Sequence, residues 1–340
     1  MKFTSHQTNG NINLARALNE AFAEIAPFAT GRVFVVMNST ENLYNEVYRQ
    51  FNKKYADGAD MFQSTIAAAY AKTVSNRNDF ILIPANGTSS KLASMLTVAN
   101  NRVHFLGLDP VGRKIGARSL ISNSGAGAAT DTAMIKVTGT GVSFRNLSMK
   151  NNWTVAENLA AMCDWGIESY FENCDIESLG SAHLTNAGAA SLILGGNEAQ
   201  YKNCTIGQDT LLVTSTAGQV LLIQNRGSAA VKATRGRFDN CRFQTWTNDT
   251  THVFVRAGAN SIDRDITFED CEFAAAQQAS GAVTLAVAFA THASVGGAIN
   301  IAYPRIFGAT NAATNAVGNT GILLAAPVNA VSDAGAVTPT

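Results

Sequence analysis

The chain has 340 residues, in which 25 Lys and Arg cancel 25 Asp and Glu; its 15 % of charged residues falls below the roughly 25 % usual in globular proteins. So sparse and neutral a surface lacks the basic footprint of a nucleic-acid or anionic-membrane partner. Five cysteines without a CxxC pair or a Cys/His cluster at ligand spacing speak against a metal site, and no cofactor motif is present.

Residues 1–11 form no apolar signal core, which predicts a protein made and used without Sec export, and no run approaches the roughly 18 apolar residues of a membrane span. They read instead as an extended polar arm. Asn13 caps a helix over 13–25 whose stripe of Leu14, Ala17, Leu18, Ala21, Phe22 and Ile25 is stopped by Pro27. A strand over 32–37, helical character over 41–51 and the turn Asp57-Gly58-Ala59-Asp60 lead to an amphipathic helix over 61–72, with Phe62, Ile66, Ala69 and Tyr70 on one face. Such a helix can cover the open end of a stack of strands.

One phrase then returns five times: Phe144-Arg145-Asn146-Leu147-Ser148-Met149, Phe171-Glu172-Asn173-Cys174-Asp175-Ile176, Tyr201-Lys202-Asn203-Cys204-Thr205-Ile206, Phe238-Asp239-Asn240-Cys241-Arg242-Phe243 and Phe268-Glu269-Asp270-Cys271-Glu272-Phe273. The copies begin 27, 30, 37 and 30 residues apart, a solenoid period with loops of variable length. Each copy reads as two short strands meeting at a corner. Alternation sends the aromatic residue inward before the corner, and Leu147 or Cys and then Met, Ile or Phe inward after it. Asn146, Asn173, Asn203, Asn240 and Asp270 suit a left-handed corner and form a ladder of side chains. In an earlier copy, Phe105-Leu106-Gly107-Leu108, glycine meets the same need.

A second strand series precedes the phrases: 80–83, 134–137, 161–164, 192–194, 221–223 and 253–256. With about three strands per coil, the pattern predicts an all-β right-handed parallel β-helix of about six or seven coils, strands of successive coils lying about 4.8 Å apart. The alternative, an antiparallel β-sandwich, does not need these columns to keep register. Cys174, Cys204, Cys241 and Cys271 share one inward slot, and stacked neighbours stand slightly too far apart for a disulfide, so they read as reduced core thiols; Cys163 lies elsewhere. After residue 275 the phrase disappears, and 283–289 forms a last strand. The domains expected are an arm and helix over 1–31, a capping segment with a helix over 32–79, the β-helix over 80–300, and a cap or extended tail over 301–340.

The helix, the strand Phe80-Ile81-Leu82-Ile83-Pro84-Ala85-Asn86-Gly87, then Val103-His104-Phe105-Leu106-Gly107-Leu108 and the Asn-cornered coils resemble the pectin-lyase-like right-handed β-helix superfamily over roughly residues 33–290. The stretch from Arg32-Val33-Phe34-Val35 through Ala59-Asp60-Met61-Phe62 to Asp79-Phe80-Ile81-Leu82-Ile83-Pro84 is similar, more narrowly, to β-helix proteins encoded among the head genes of tailed bacteriophages. Lyases and polygalacturonases of the superfamily carry clustered Asp, Asn-Thr-Asp, Gly-His-Gly or Arg-Ile-Lys phrases. None is present, so no catalytic, cofactor or metal residue carries over.

From the residues alone, the candidates for sugar chemistry are Asp164 with Trp165 and Glu168, then Asp209, Arg226 and Arg256, expected outward beside the second strand series. Two carboxylates about 5–9.5 Å apart can run a glycosidase and a Trp can stack on a sugar; the bland reading is solvated loop charge. His6, His104, His183, His252 and His292 have no nucleophile beside them in the sequence. The resemblance and the low charge lead to a non-enzymatic structural protein of a tailed-phage particle, a head auxiliary or decoration subunit assembled in the host cytoplasm. Its partners are the major capsid protein, other virion proteins and copies of itself, a trimer among the arrangements. The alternative is a tailspike-type protein that binds or degrades host glycan.

Overall fold

In the computed structural model, the described residues are 31–40, 48–49, 54–84, 90–108, 119–124, 127–128, 130–155, 159–227, 231–276, 281–313 and 322–325. The expected arm over 1–11, the helix over 13–25, most of 41–51 and most of the tail beyond 313 lie outside them. The described residues build three parallel sheets, one of eleven strands and two of eight. The first sheet holds the aromatic halves of the phrases and the second the halves after the corner. The third holds Leu96–Val98, Ala133–Val137, Ala160–Asp164, Leu192–Leu194, Gln219–Ile223, Val253–Ala257, Leu285–Thr291 and Ala309–Ala313. The chain visits the three in turn, each strand pairing parallel with its counterpart one coil away. This is a right-handed parallel β-helix.

Register is set by like side chains stacking on like. Phe105, Phe144, Phe171, Tyr201, Phe238 and Phe268 form one inward column with ring centroids 4.6–5.2 Å apart and nearly parallel planes. All are buried, and each such ring is worth about 1.5–3 kcal/mol from burial with roughly 0.5–1.5 more from its aromatic neighbour. A second column, Met149, Ile176, Ile206, Phe243 and Phe273, follows the corner. A slip of one residue would turn every one of these side chains outward.

Asn146, Asn173, Asn203, Asn240 and Asp270 all have φ between +49° and +56°, the region that Asn tolerates and β-branched residues do not. Asn173 Nδ2 donates to Asn146 Oδ1 at 3.3 Å and Asn240 Nδ2 to Asn203 Oδ1 at 2.8 Å. The ladder is half-buried at its start and exposed from Asn203 onward, so it is a surface rail. The cysteines stack beside it: Cys174 Sγ lies 3.4 Å from both the Phe144 and Glu172 carbonyls, and Cys241 Sγ 3.4 Å from those of Tyr201 and Asp239. All five cysteines are free and buried, and burial pushes the thiol of Cys204 up.

Several expectations need correction. Gly107 is a strand residue whose φ is not left-handed; a Cβ there would stand 2.0 Å from the Asn146 carbonyl oxygen, so close approach is what requires glycine. The strand over 80–83 belongs to the first sheet, with Ile81 opposite Phe105, and Leu96–Val98 opens the third sheet in its place. The capping helix is only Ile66–Ala71. Thr65 Oγ1 accepts from the Ala68 N–H at its start, while Phe62–Gln63 is a strand paired with Val35 and Val36. Ile66 and Ala69 are fully buried in the lumen core. Asp79 ties it down, its two oxygens accepting from Arg32 N, Val74 N and the Arg77 guanidinium at 2.7–2.8 Å.

At the other end, the strand near 283–289 is Leu285–Thr291 and is not the last. Ala298–Ala302, Arg305–Phe307, Ala309–Ala313 and Ile322–Ala325 continue all three sheets. Among the described residues, strand pairing runs from Val33 to Ala325, and the two smaller sheets have eight strands each. Tyr303 takes the left-handed corner there at φ +52°.

Candidate functional site

The residues singled out in the sequence do not converge on one site. The third sheet pairs Asp164 with Val137 and Leu194, both lumen residues, so Asp164 points inward and is fully buried. Its Oδ1 accepts from Ser169 Oγ at 2.9 Å and Gly166 N at 3.1 Å, and its Oδ2 from the Tyr201 hydroxyl at 2.8 Å. Burial pushes this carboxyl above the usual carboxylate range against the pull of those bonds, and burial with the facing carboxylate pushes the Tyr201 phenol well up. The expected outward acid is thus an internal strut. It also accounts for the one Tyr in the phenylalanine column: the hydroxyl is what Asp164 needs across the lumen.

Trp165 faces out but offers no free ring to a sugar. Lys136 Nζ stands 4.2 Å from its centroid, and its edge lies on Gly195, where a Cβ would come within 2.9 Å of the ring. Glu168 is exposed at φ +54°, one rung of a second rail with Gly141, Glu198 and Arg235 that turns the chain into the first sheet. The N–H groups of three rungs bond to the next coil, Gly141 to Ile167, Glu168 to Asn197 and Glu198 to Thr234, at 2.7–2.8 Å. Asp209 is exposed in the bulge between Gln208 and Val213 that lengthens the 37-residue coil. Arg256 Nε donates to Gln219 Oε1 at 2.9 Å in the third sheet. No two of the candidate carboxylates form a pair.

The densest polar chemistry lies elsewhere, inside the junction of the second and third sheets. His183, Ser191, Gln208, Gln219, Gln244, Thr245 and His252 gather there, all buried, around a gap too small to hold a water. Gln219 Nε2 donates to the Ala187 and Ala189 carbonyls, and Gln208 Oε1 accepts from Thr210 N and Leu211 N, fixing the bulge. His252 Nε2 lies 3.2 Å from Thr245 Oγ1, whereas Nδ1 of both His183 and His252 has no partner. Burial holds His183 down to about 4 and, with the neighbouring His183 and Arg256, His252 to about 3. Nothing in the sequence marks this cluster, because its members are scattered over three strands, a helix and the residues just before two strands, two or three in each of three successive coils. Among the described residues no group of three or more His, Cys, Asp or Glu is placed to hold a metal. His104 bonds Ser143 Oγ and Asn78 Oδ1, both at 2.7 Å, and His292 bonds Ser294; His6 lies outside the described residues.

Comparison with known protein families and with curated protein sequences finds no match. Among solved structures, the chain is similar to a pectin methylesterase mutant in complex with a hexasaccharide, at 14 % identity over 82 % of this chain and 80 % of that one, with a TM-score of 0.49. It is also similar to the pectin methylesterases of carrot (13 %, 87 % and 89 %, TM-score 0.42) and Erwinia chrysanthemi (13 %, 81 % and 78 %, TM-score 0.46). The likeness is one of fold, the parallel β-helix already established by the strand pairing, and carries nothing about activity.

Proposed function

We propose that this chain is a structural rod, the head auxiliary or decoration subunit of a tailed-phage particle to which its N-terminal pattern points, acting through contacts with the major capsid protein and with copies of itself. The observation that supports a structural role over chemistry is the fate of Asp164: the acid best placed in the sequence for sugar hydrolysis is spent on three bonds inside the lumen. The charges around the Asn rail are likewise engaged from coil to coil, in the pairs Arg145–Glu172, Lys150–Glu177 and Arg242–Glu272 at 3.1–3.8 Å. Exposed pairs of this kind add little stability singly, but they fix register and leave a surface suited to packing.

A glycan-binding tailspike role is compatible with the fold, and one observation favours it: half-buried Tyr170 faces outward on the first sheet under the Arg145 guanidinium, 5.1 Å from its ring. Copy number separates the two readings. Quantitative mass spectrometry of purified particles carrying this gene should find hundreds of copies of the chain per particle. A few copies would move it to the tail and the glycan role, and none would end both readings.

A further inference from the structure

On the outside of the third sheet, two buried N–H donors lack an acceptor: Trp165 Nε1 and Arg226 Nε. They belong to one cluster, since Arg226 Nη1 donates to the Trp165 carbonyl at 2.8 Å and Lys136 Nζ lies over the indole. Gly195 admits the ring edge: its missing Cβ would stand 3.0 Å from Nε1. Behind the ring is an apolar floor of Ala160, Cys163, Ala190 and Ile193, with Leu222 beside it. Burial pushes the Cys163 thiol up to about 12, so the floor carries no charge of its own.

No carboxylate among the described residues pairs with Lys136 or Arg226. The adjacent acid, Asp164, faces the lumen and is already bonded to Tyr201, Ser169 and Gly166. Arg226 feels the Asp164 carboxyl only through space, and the two buried donors keep no acceptor, which is rare in folded proteins. A guanidinium and an indole N–H are each suited to the oxygens of an oxyanion.

We propose that this cluster is a binding site for an oxyanion, the carboxylate or sulfate group of a ligand, with Arg226 Nε and Trp165 Nε1 donating to its oxygens and Lys136 supplying charge. The site is independent of the structural role proposed above, because neither catalysis nor assembly enters it.

The chain has three tryptophans, so its emission can report on Trp165. Intrinsic fluorescence and thermal melting of the full chain would be followed while sodium sulfate, or separately sodium acetate, replaces sodium chloride at constant ionic strength. A saturable emission change and a raised melting temperature are expected with one or both anions. Arg226→Gln should weaken binding at least tenfold, Lys136→Gln about threefold, and Trp165→Phe should abolish the emission change. A response no larger than that of chloride overturns the proposal, as does binding that is unchanged in Arg226→Gln. If Arg226→Gln does not fold, unchanged binding in Lys136→Gln, a half-exposed position, decides against it.

Discussion

On the corner side of the solenoid like mostly stacks on like: ring on ring, amide on amide, thiol on thiol. Across the lumen, where the second sheet passes into the third, successive coils bring Ser191, Gln208, Gln219, Gln244, Thr245 and His252 to one place, no two of them stacked like on like. Repetition needs only the parallel register, because a column stabilises itself wherever it starts. The cluster needs each partner individually, and the two unpartnered imidazole nitrogens show that it is not fully satisfied. Stability is therefore expected to lie on the corner side, and sensitivity to conditions on the other.

The comparison breaks first in the aromatic column. Phe171 sits fully buried between Phe144 and Tyr201, so Phe171→Ala should cost about 3–5 kcal/mol in urea unfolding, whereas Gln244→Ala in the cluster should cost about 1–3 kcal/mol. Equal losses would remove the distinction between the two sides.

Acid sharpens it next. Unfolded imidazoles titrate near 6.5, whereas folded His183 and His252 are held to about 4 and about 3, so the unfolded chain takes up protons that the folded one refuses. The stability tied to these residues is complete above pH 6.5. It falls as the pH drops from 6.5 toward 4 and 3, by about 1.4 kcal/mol per pH unit for each residue. His104, held to about 4 by burial and Arg145, adds a third part of the same sign outside the cluster. Denaturation midpoints at pH 7 and pH 5 should therefore converge partly in His252→Gln; an undiminished pH effect in that variant would place the acid sensitivity elsewhere.

A smaller effect belongs to the rail. Asn203 is exposed with φ +53°, so Asn203→Ala should cost about 1–2 kcal/mol for the left-handed conformation, and Asn203→Gly should recover most of it. If glycine is no better than alanine, the side-chain ladder outweighs the backbone requirement.

The fold was legible because its columns repeat in the chain at nearly fixed spacing. The last rung shows where that legibility ends: Ile301-Ala302-Tyr303-Pro304-Arg305-Ile306 pairs as a further copy, yet Ile, Tyr and Pro stand where Phe, Asn and Cys signal the others. The second rail was invisible for a related reason. Backbone bonds hold the left-handed turns at Gly141, Glu168 and Glu198, so no single residue type marks them. Phe80 misled because alternation gives the period of a strand and not the sheet it joins. Asp164 misled more seriously, since a lone charge at the end of an apolar run reads as outward, and only the facing hydroxyl of Tyr201, 37 residues on, makes the inward direction affordable.

The central claim is that Asp164 is a strut of the solenoid and not a catalytic acid, and a double-mutant cycle in urea unfolding tests it most directly. With Asp164→Ala, Tyr201→Phe and the double variant, the account predicts a coupling of about 1–3 kcal/mol, as for two buried side chains that are left unsatisfied without each other. Losses that add to within about 0.5 kcal/mol would mean that the two side chains do not depend on each other, and would return Asp164 to the list of residues in need of a function.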